Sequence, residues 1–214
     1  MISWISVYLS FAVCIAALLA AYRFNIIDKL YLPFVLCIWV GAINEIVSFT
    51  LAYNGYSNSA NNNIDILLEG LLILWQFKKW GMMPQTLFFI LGLLFLCTWF
   101  YEIHSFSTLQ SLHYYYRLLY GSVVVICCIS LNNSFIISHH NKMVTNPAFL
   151  ICTGYVLYFT LKIICDAWWL YSPTSSTEFL TVVFLSMIIT NFLTNLLFIL
   201  AILWIPRKPN YITF

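Results

Sequence analysis

Seven apolar stretches follow one another along this chain with only short polar breaks between them, and no fold in water could hide that much hydrocarbon. They run Ser3 to Tyr22, Leu30 to Tyr53, Ile64 to Phe77, Pro84 to Tyr101, Leu112 to Leu131, Ala148 to Tyr171 and Phe179 to Ile205. A hydrocarbon core about 30 Å thick takes roughly 20 apolar residues of helix, so the spacing predicts seven transmembrane helices. Charge agrees. Only 7% of the residues are Asp, Glu, Lys or Arg, against about 25% in a soluble domain. The expected fold is all-α, a single polytopic domain over residues 1–214 with no room for a separate soluble domain. The third stretch is the shortest and can extend through Lys79 if its lysines reach the interface. Asn54 to Asn63, rich in Asn, Ser and Gly, reads as a turn-forming loop. Pro84, Pro147 and Pro173 stand at or just outside helix starts, where a missing amide hydrogen costs little. No internal repeat of the kind that duplicated transporters carry is visible.

Lys and Arg in short loops are retained on the cytoplasmic side of a membrane. Arg23 and Lys29 follow the first stretch, Lys78 and Lys79 the third, Lys142 the fifth, and Arg207 and Lys208 the seventh. The other three connections hold no Lys or Arg, so the alternation predicts an outer N-terminus and a cytoplasmic C-terminus. Met1 to Tyr22 lacks a basic leader and a small-residue cleavage site and reads as a retained first span. Clusters such as Trp99 to Tyr101, Tyr114 to Tyr116 and Trp168 to Tyr171 fall at expected outer ends, as an aromatic belt should. The net charge of +2 is small and dispersed and excludes a nucleic-acid partner; the lipid bilayer is the expected one. All seven cysteines lie in apolar segments and read as small buried hydrophobes.

An ionised side chain at membrane depth costs at least about 2.5–3.5 kcal/mol by insertion scales, so such residues face a partner or a wet cavity. Glu45 lies past the middle of the second helix, Asp65 and Glu69 one turn apart in the third, Arg117 in the fifth, and Lys162 and Asp166 one turn apart in the sixth. Asn44 and Ser48 share a face of the second helix, and Thr190, Asn191, Thr194 and Asn195 form a polar patch on the seventh. Glu102 and Glu178 stand at outer rims. One reading gathers Glu45, Glu69, Arg117, Lys162, Asp166 and Asn191 around a polar pocket open to the outside. The competing reading pairs the charges merely to hold the bundle together. As partners, Lys162 is matched with Asp166, or across helices with Glu45, and Arg117 with Glu69.

No cofactor is implied. Seven-helix zinc hydrolases of the alkaline ceramidase and adiponectin-receptor type use a histidine pair on the last helix, where this chain has Asn191 and Asn195, which are poor zinc ligands. His104 and His113 fall near the outside and His139 and His140 in an inner loop, so they cannot converge. A carboxylate enzyme using Glu45 or Glu69 as general base lacks a defined nucleophile or oxyanion site. A retinal pump needs a lysine in the last helix, which has none.

The segments TNPAFLICTGYVLYF and MIITNFLTNLLFILAILW, with NEIVSF and ILLEGLLILWQFKKW, resemble a broad group of uncharacterised bacterial seven-helix proteins associated with membrane sensor kinases. The resemblance implies a bacterial inner-membrane protein and transfers no functional residue. The function expected is a receptor-like sensor or signal-transducing subunit that binds a small molecule or cation and contacts a membrane kinase or another protein partner. A small transporter or channel component and an intramembrane hydrolase are the alternatives.

Overall fold

The computed structural model of the protein describes Leu9 and residues 11–105, 113–138, 143–171 and 177–206. These residues form seven α-helices: α1 Ala12–Arg23, α2 Leu32–Tyr53, α3 Ser59–Lys79, α4 Gln85–Ser105, α5 Tyr114–Ser138, α6 Pro147–Tyr171 and α7 Thr177–Trp204. Short 3-10 turns, Lys29–Tyr31 and Met143–Thr145, precede α2 and α6. Five helical segments, all but α1 and α3, are long and apolar enough to cross a membrane. α1 is short over its described residues, and α3 carries Asn61, Asn62, Asn63, Asp65, Glu69 and Gln76.

Two helices, α3 and α5, run furthest beyond the sequence expectation. α3 begins at Ser59 rather than Ile64, so the second half of the expected Asn54 to Asn63 loop is helical. Asparagine favours turns because its side chain competes for backbone groups, and here tertiary partners remove that competition. The Asn61 amide donates to Asn44 Oδ1 at 2.5 Å and to Ser48 Oγ at 3.1 Å on α2. Asn63 is fully buried, with its Oδ1 accepting from the His113 backbone amide at 3.3 Å. What remains of the turn closes at Gly55, whose φ of 75° lies in the left-handed region that glycine adopts without steric cost. α5 likewise continues past Leu131 to Ser138, and Asn132 on the added turns reaches Thr153 Oγ1 of α6 at 3.4 Å.

Short connections make consecutive helices antiparallel neighbours. α1, α2, α3, α5, α6 and α7 pack in sequence around a ring that α1 and α7 close, and α4 lies outside against α3 and α5. The Arg23 guanidinium fastens the closure by donating to the carbonyls of Ile202 and Ile205 at the end of α7, where helix carbonyls lack intrahelical partners. On the facing end of α3, Gln76 accepts from the Phe34 amide at 2.9 Å and donates to the Leu30 carbonyl at 2.9 Å, joining α3 to the start of α2. Glu102 of α4 does the equivalent for α5, accepting from the Tyr115 and Tyr116 amides at 2.9 and 2.8 Å. That carboxylate is 3% exposed and satisfies helix-start donors, so it is structural rather than part of a ligand site.

Inside the ring, Phe34, Phe198, Tyr155, Phe159, Tyr120, Tyr116 and Phe95 run as a linked series of aromatic contacts, with successive centroids 5.2–5.8 Å apart. Outside, Leu18, Leu93, Ile126 and Val182 are more than 60% exposed. An apolar exterior of that extent fits hydrocarbon rather than water.

Candidate functional site

Partway along the bundle the ring leaves a cavity of about 120 Å³, which is room for several waters or a small ligand. α2 contributes Cys37, Ile38, Gly41, Asn44 and Glu45 to its wall, and α3 contributes Asp65 and Glu69. Tyr155 and Tyr158 come from α6, Val13 from α1, and Asn191, Thr194, Asn195 and Phe198 from α7. The spacing of these residues follows from helix geometry: Ile38, Gly41 and Glu45, like Asn191, Asn195 and Phe198, lie three or four apart and so share one face. Glu45, Glu69 and Asn191 of the sequence-predicted site therefore meet at one cavity. Asp65, left out of that site, joins them one turn from Glu69.

Polar groups on the α7 wall are tied to one another. Asn195 donates to the Asn191 carbonyl at 2.9 Å and to its Oδ1 at 3.1 Å, while Thr194 donates to the Gly154 carbonyl at 3.4 Å. On the α3 wall, Asp65 keeps one carboxylate oxygen buried without a hydrogen-bond partner among the described residues. At the end toward the α7 C-terminus, Phe34, Phe198 and Tyr155 close the space with edge-on ring contacts.

Arg117, Lys162 and Asp166 stand behind the wall rather than in it. Lys162 is 6% exposed, and its Nζ lies 3.8 Å from Glu69 Oε2 and donates to Tyr120 Oη at 3.0 Å. Tyr120 in turn donates to Glu69 Oε2 at 2.8 Å, so the cavity carboxylate is held by a tyrosine and an ammonium together. The rings of Tyr120, Tyr158 and Phe159 surround the ammonium at 5.0–5.7 Å, within cation–π range. One turn further along α6, Asp166 Oδ1 pairs with the Arg117 guanidinium at 3.5 Å. Both cations thus find a carboxylate, but the partners are exchanged relative to the sequence expectation. Lys162 meets Glu69 instead of Asp166 or Glu45, and Arg117 meets Asp166 instead of Glu69. The reason is that the Lys162 and Asp166 face of α6 looks toward both α3 and α5, and each charge takes the nearer neighbour across the interface.

Sequence reasoning missed the tyrosines that complete this network. Their signal was present as helix spacing, since Tyr120 lies three residues after Arg117 and Tyr158 four before Lys162, which puts each on its cation's face. His113, buried beside Trp99 at the start of α5, has neither ring nitrogen bonded among the described residues. Its ring packs edge-on against Trp99 at 5.7 Å, so it serves as a packing residue. Glu178 and the loop residues His139 and His140 lie outside the described side chains. No protein-family model matches the chain, nor does any curated protein or solved structure.

Proposed function

We propose that this chain is a seven-span protein of the bacterial inner membrane, N-terminus outside, that binds a small organic cation in the cavity and acts as a receptor-like sensor. The observation that carries the reading is the charge of the wall. Glu45, Asp65 and Glu69 all line the cavity, and among the described residues no lysine or arginine does. Carboxylates withdrawn from water into a helix bundle favour a ligand that brings positive charge. Among the described residues no three His, Cys, Asp or Glu side chains are grouped closely enough to hold a metal ion. The acids all lie on the adjoining α2 and α3 walls, where they suit the charged end of an amine, and Asn44, Asn191 and Asn195 supply amide groups for its polar substituents.

Five helices able to span a membrane, the apolar exterior and the alternation of basic and uncharged loops support the membrane topology. A sensor of this form passes its signal to a partner protein, such as a membrane kinase, through the basic loops. One observation favours transport as a second reading. The cavity runs from Glu45 down to Cys37 and Phe198, past the middle of α2 toward the other end of the bundle. Binding of small primary amines to the purified protein in lipid nanodiscs, followed by tryptophan fluorescence, tests the reading. The Glu45→Gln, Glu69→Gln double variant is expected to lose binding at least tenfold while remaining folded. Unchanged binding in that variant leaves these residues a structural role alone, and uptake of the amine into proteoliposomes selects transport over sensing.

A further inference from the structure

We infer that Lys162 is a two-position cation: it pairs with Glu69 when the cavity is empty, and with Asp166 when a ligand's positive charge takes Glu69 over. The first position is the one observed, and it is loose. The ammonium lies 3.8 Å from Glu69, while its close bond goes to Tyr120, which donates onward to the same carboxylate oxygen. A ligand ammonium entering the cavity meets Glu69 from the open side and can displace a cation held that way.

The second position is already built. Asp166 is 5% exposed and lies one turn from Lys162 on the same helix face. Its Oδ1 is occupied by Arg117, but its Oδ2 is buried with no hydrogen-bond partner among the described residues. A buried carboxylate oxygen without a donor is costly, and a buried ammonium deprived of its carboxylate is costlier. One movement relieves both. The four-carbon stem of lysine lets the point charge swing along its helix, which the planar fork of an arginine could not do without losing its geometry. The rings of Tyr120, Tyr158 and Phe159 surround the ammonium and attract it while it moves.

The consequence reaches beyond the cavity. Asp166 is the carboxylate that Arg117 of α5 pairs with through Nη1, and Arg117 Nε has no hydrogen-bond partner among the described residues. Arrival of a second cation at Asp166 weakens that pair and loosens α5 from α6 at this level. Occupancy of the cavity by an amine, which is the reading proposed above and the one this inference rests on for its trigger, thereby becomes a change in helix packing.

The exchange itself is testable without a ligand, because Glu69→Gln imitates a neutralised Glu69. In nanodiscs, the coupling between Lys162→Met and Asp166→Asn is measured as the non-additive part of their Tm shifts, in the wild-type and Glu69→Gln backgrounds. The coupling is expected to be at least threefold larger in the Glu69→Gln background, and equal coupling overturns the proposal. Should Lys162→Met fail to fold, Asp166→Asn alone serves. It is expected to lower Tm at least twice as much with Gln at position 69 as with Glu, and equal shifts overturn the exchange. With n-propylammonium as probe, Lys162→Met or, where that does not fold, Lys162→Gln removes the internal competitor and is expected to tighten binding about tenfold. Equal affinity in wild type and variant overturns the exchange. No binding to either, alongside the coupling change, ends the amine reading and leaves the exchange standing.

Discussion

Charged side chains at membrane depth are where single residues decide most in this protein. Arg117 and Asp166 are both largely buried, so removing one strands the other. Breaking such a pair typically costs about 3–5 kcal/mol, whereas replacing both members costs far less. Arg117→Met is therefore expected to lower stability by about 3–5 kcal/mol in a denaturant titration in detergent or nanodiscs, and the Arg117→Met, Asp166→Asn double variant to recover at least half of that loss. A double variant as unstable as the sum of the two single ones would show the pair to be uncoupled. That these residues carry a special burden was legible in the sequence, since an ionisable group inside an apolar run needs a partner wherever it points. Which carboxylate each cation meets was not, because Lys162 and Asp166 on one helix face look equally ready to pair with each other.

At the level of elements, helix packing turns on small residues that side-chain chemistry alone does not announce. Gly154 on α6 faces Phe198 of α7, and an added Cβ would lie 2.7 Å from the ring. Phe198 in turn packs edge-on against Phe34 and Tyr155, so it cannot retreat without disturbing the aromatic closure below the cavity. Overpacking of this kind costs about 1–3 kcal/mol. Gly154→Ala is expected to lower stability by about that amount, and Gly154→Ala with Phe198→Leu to lose less than Gly154→Ala alone. Equal stability of Gly154→Ala and wild type would mean that α6 and α7 have slack at their contact. The helices themselves were readable from apolar length, yet α3 and α5 run longer than expected. Asn61 and Asn132 look like turn residues in a sequence, and they become helical once Asn44 and Thr153 of neighbouring helices take up their side-chain amides.

For the molecule as a whole, orientation in the membrane is the property on which the proposed function depends. Ser57 sits in the uncharged turn between α2 and α3, and Lys79 at the basic end of α3, and both are exposed. In a cysteine-free background, Ser57→Cys is expected to react with an impermeant thiol reagent added outside cells, and Lys79→Cys only after the membrane is opened. The reverse pattern would invert the topology and put the amine-binding reading on the cytoplasmic side.

The sequence by itself determined that the chain is helical and apolar, where its helices lie to within a few turns, and which ionisable residues are out of place in them. Apolar length and the energy of burying charge act locally, so one chain read alone carries them. Tertiary structure decided the rest. It set the rotation of each helix about its axis, and so brought Glu45, Asp65, Glu69 and Asn191 to one cavity while turning Arg117, Lys162 and Asp166 away from it. That rotation is fixed by contacts between residues far apart in the chain, such as Gly154 with Phe198, Gln76 with Phe34, and Tyr120 with Glu69. No periodicity within a single helix encodes them, because a helix with lipid on one side and packed neighbours on the other is apolar on nearly every face.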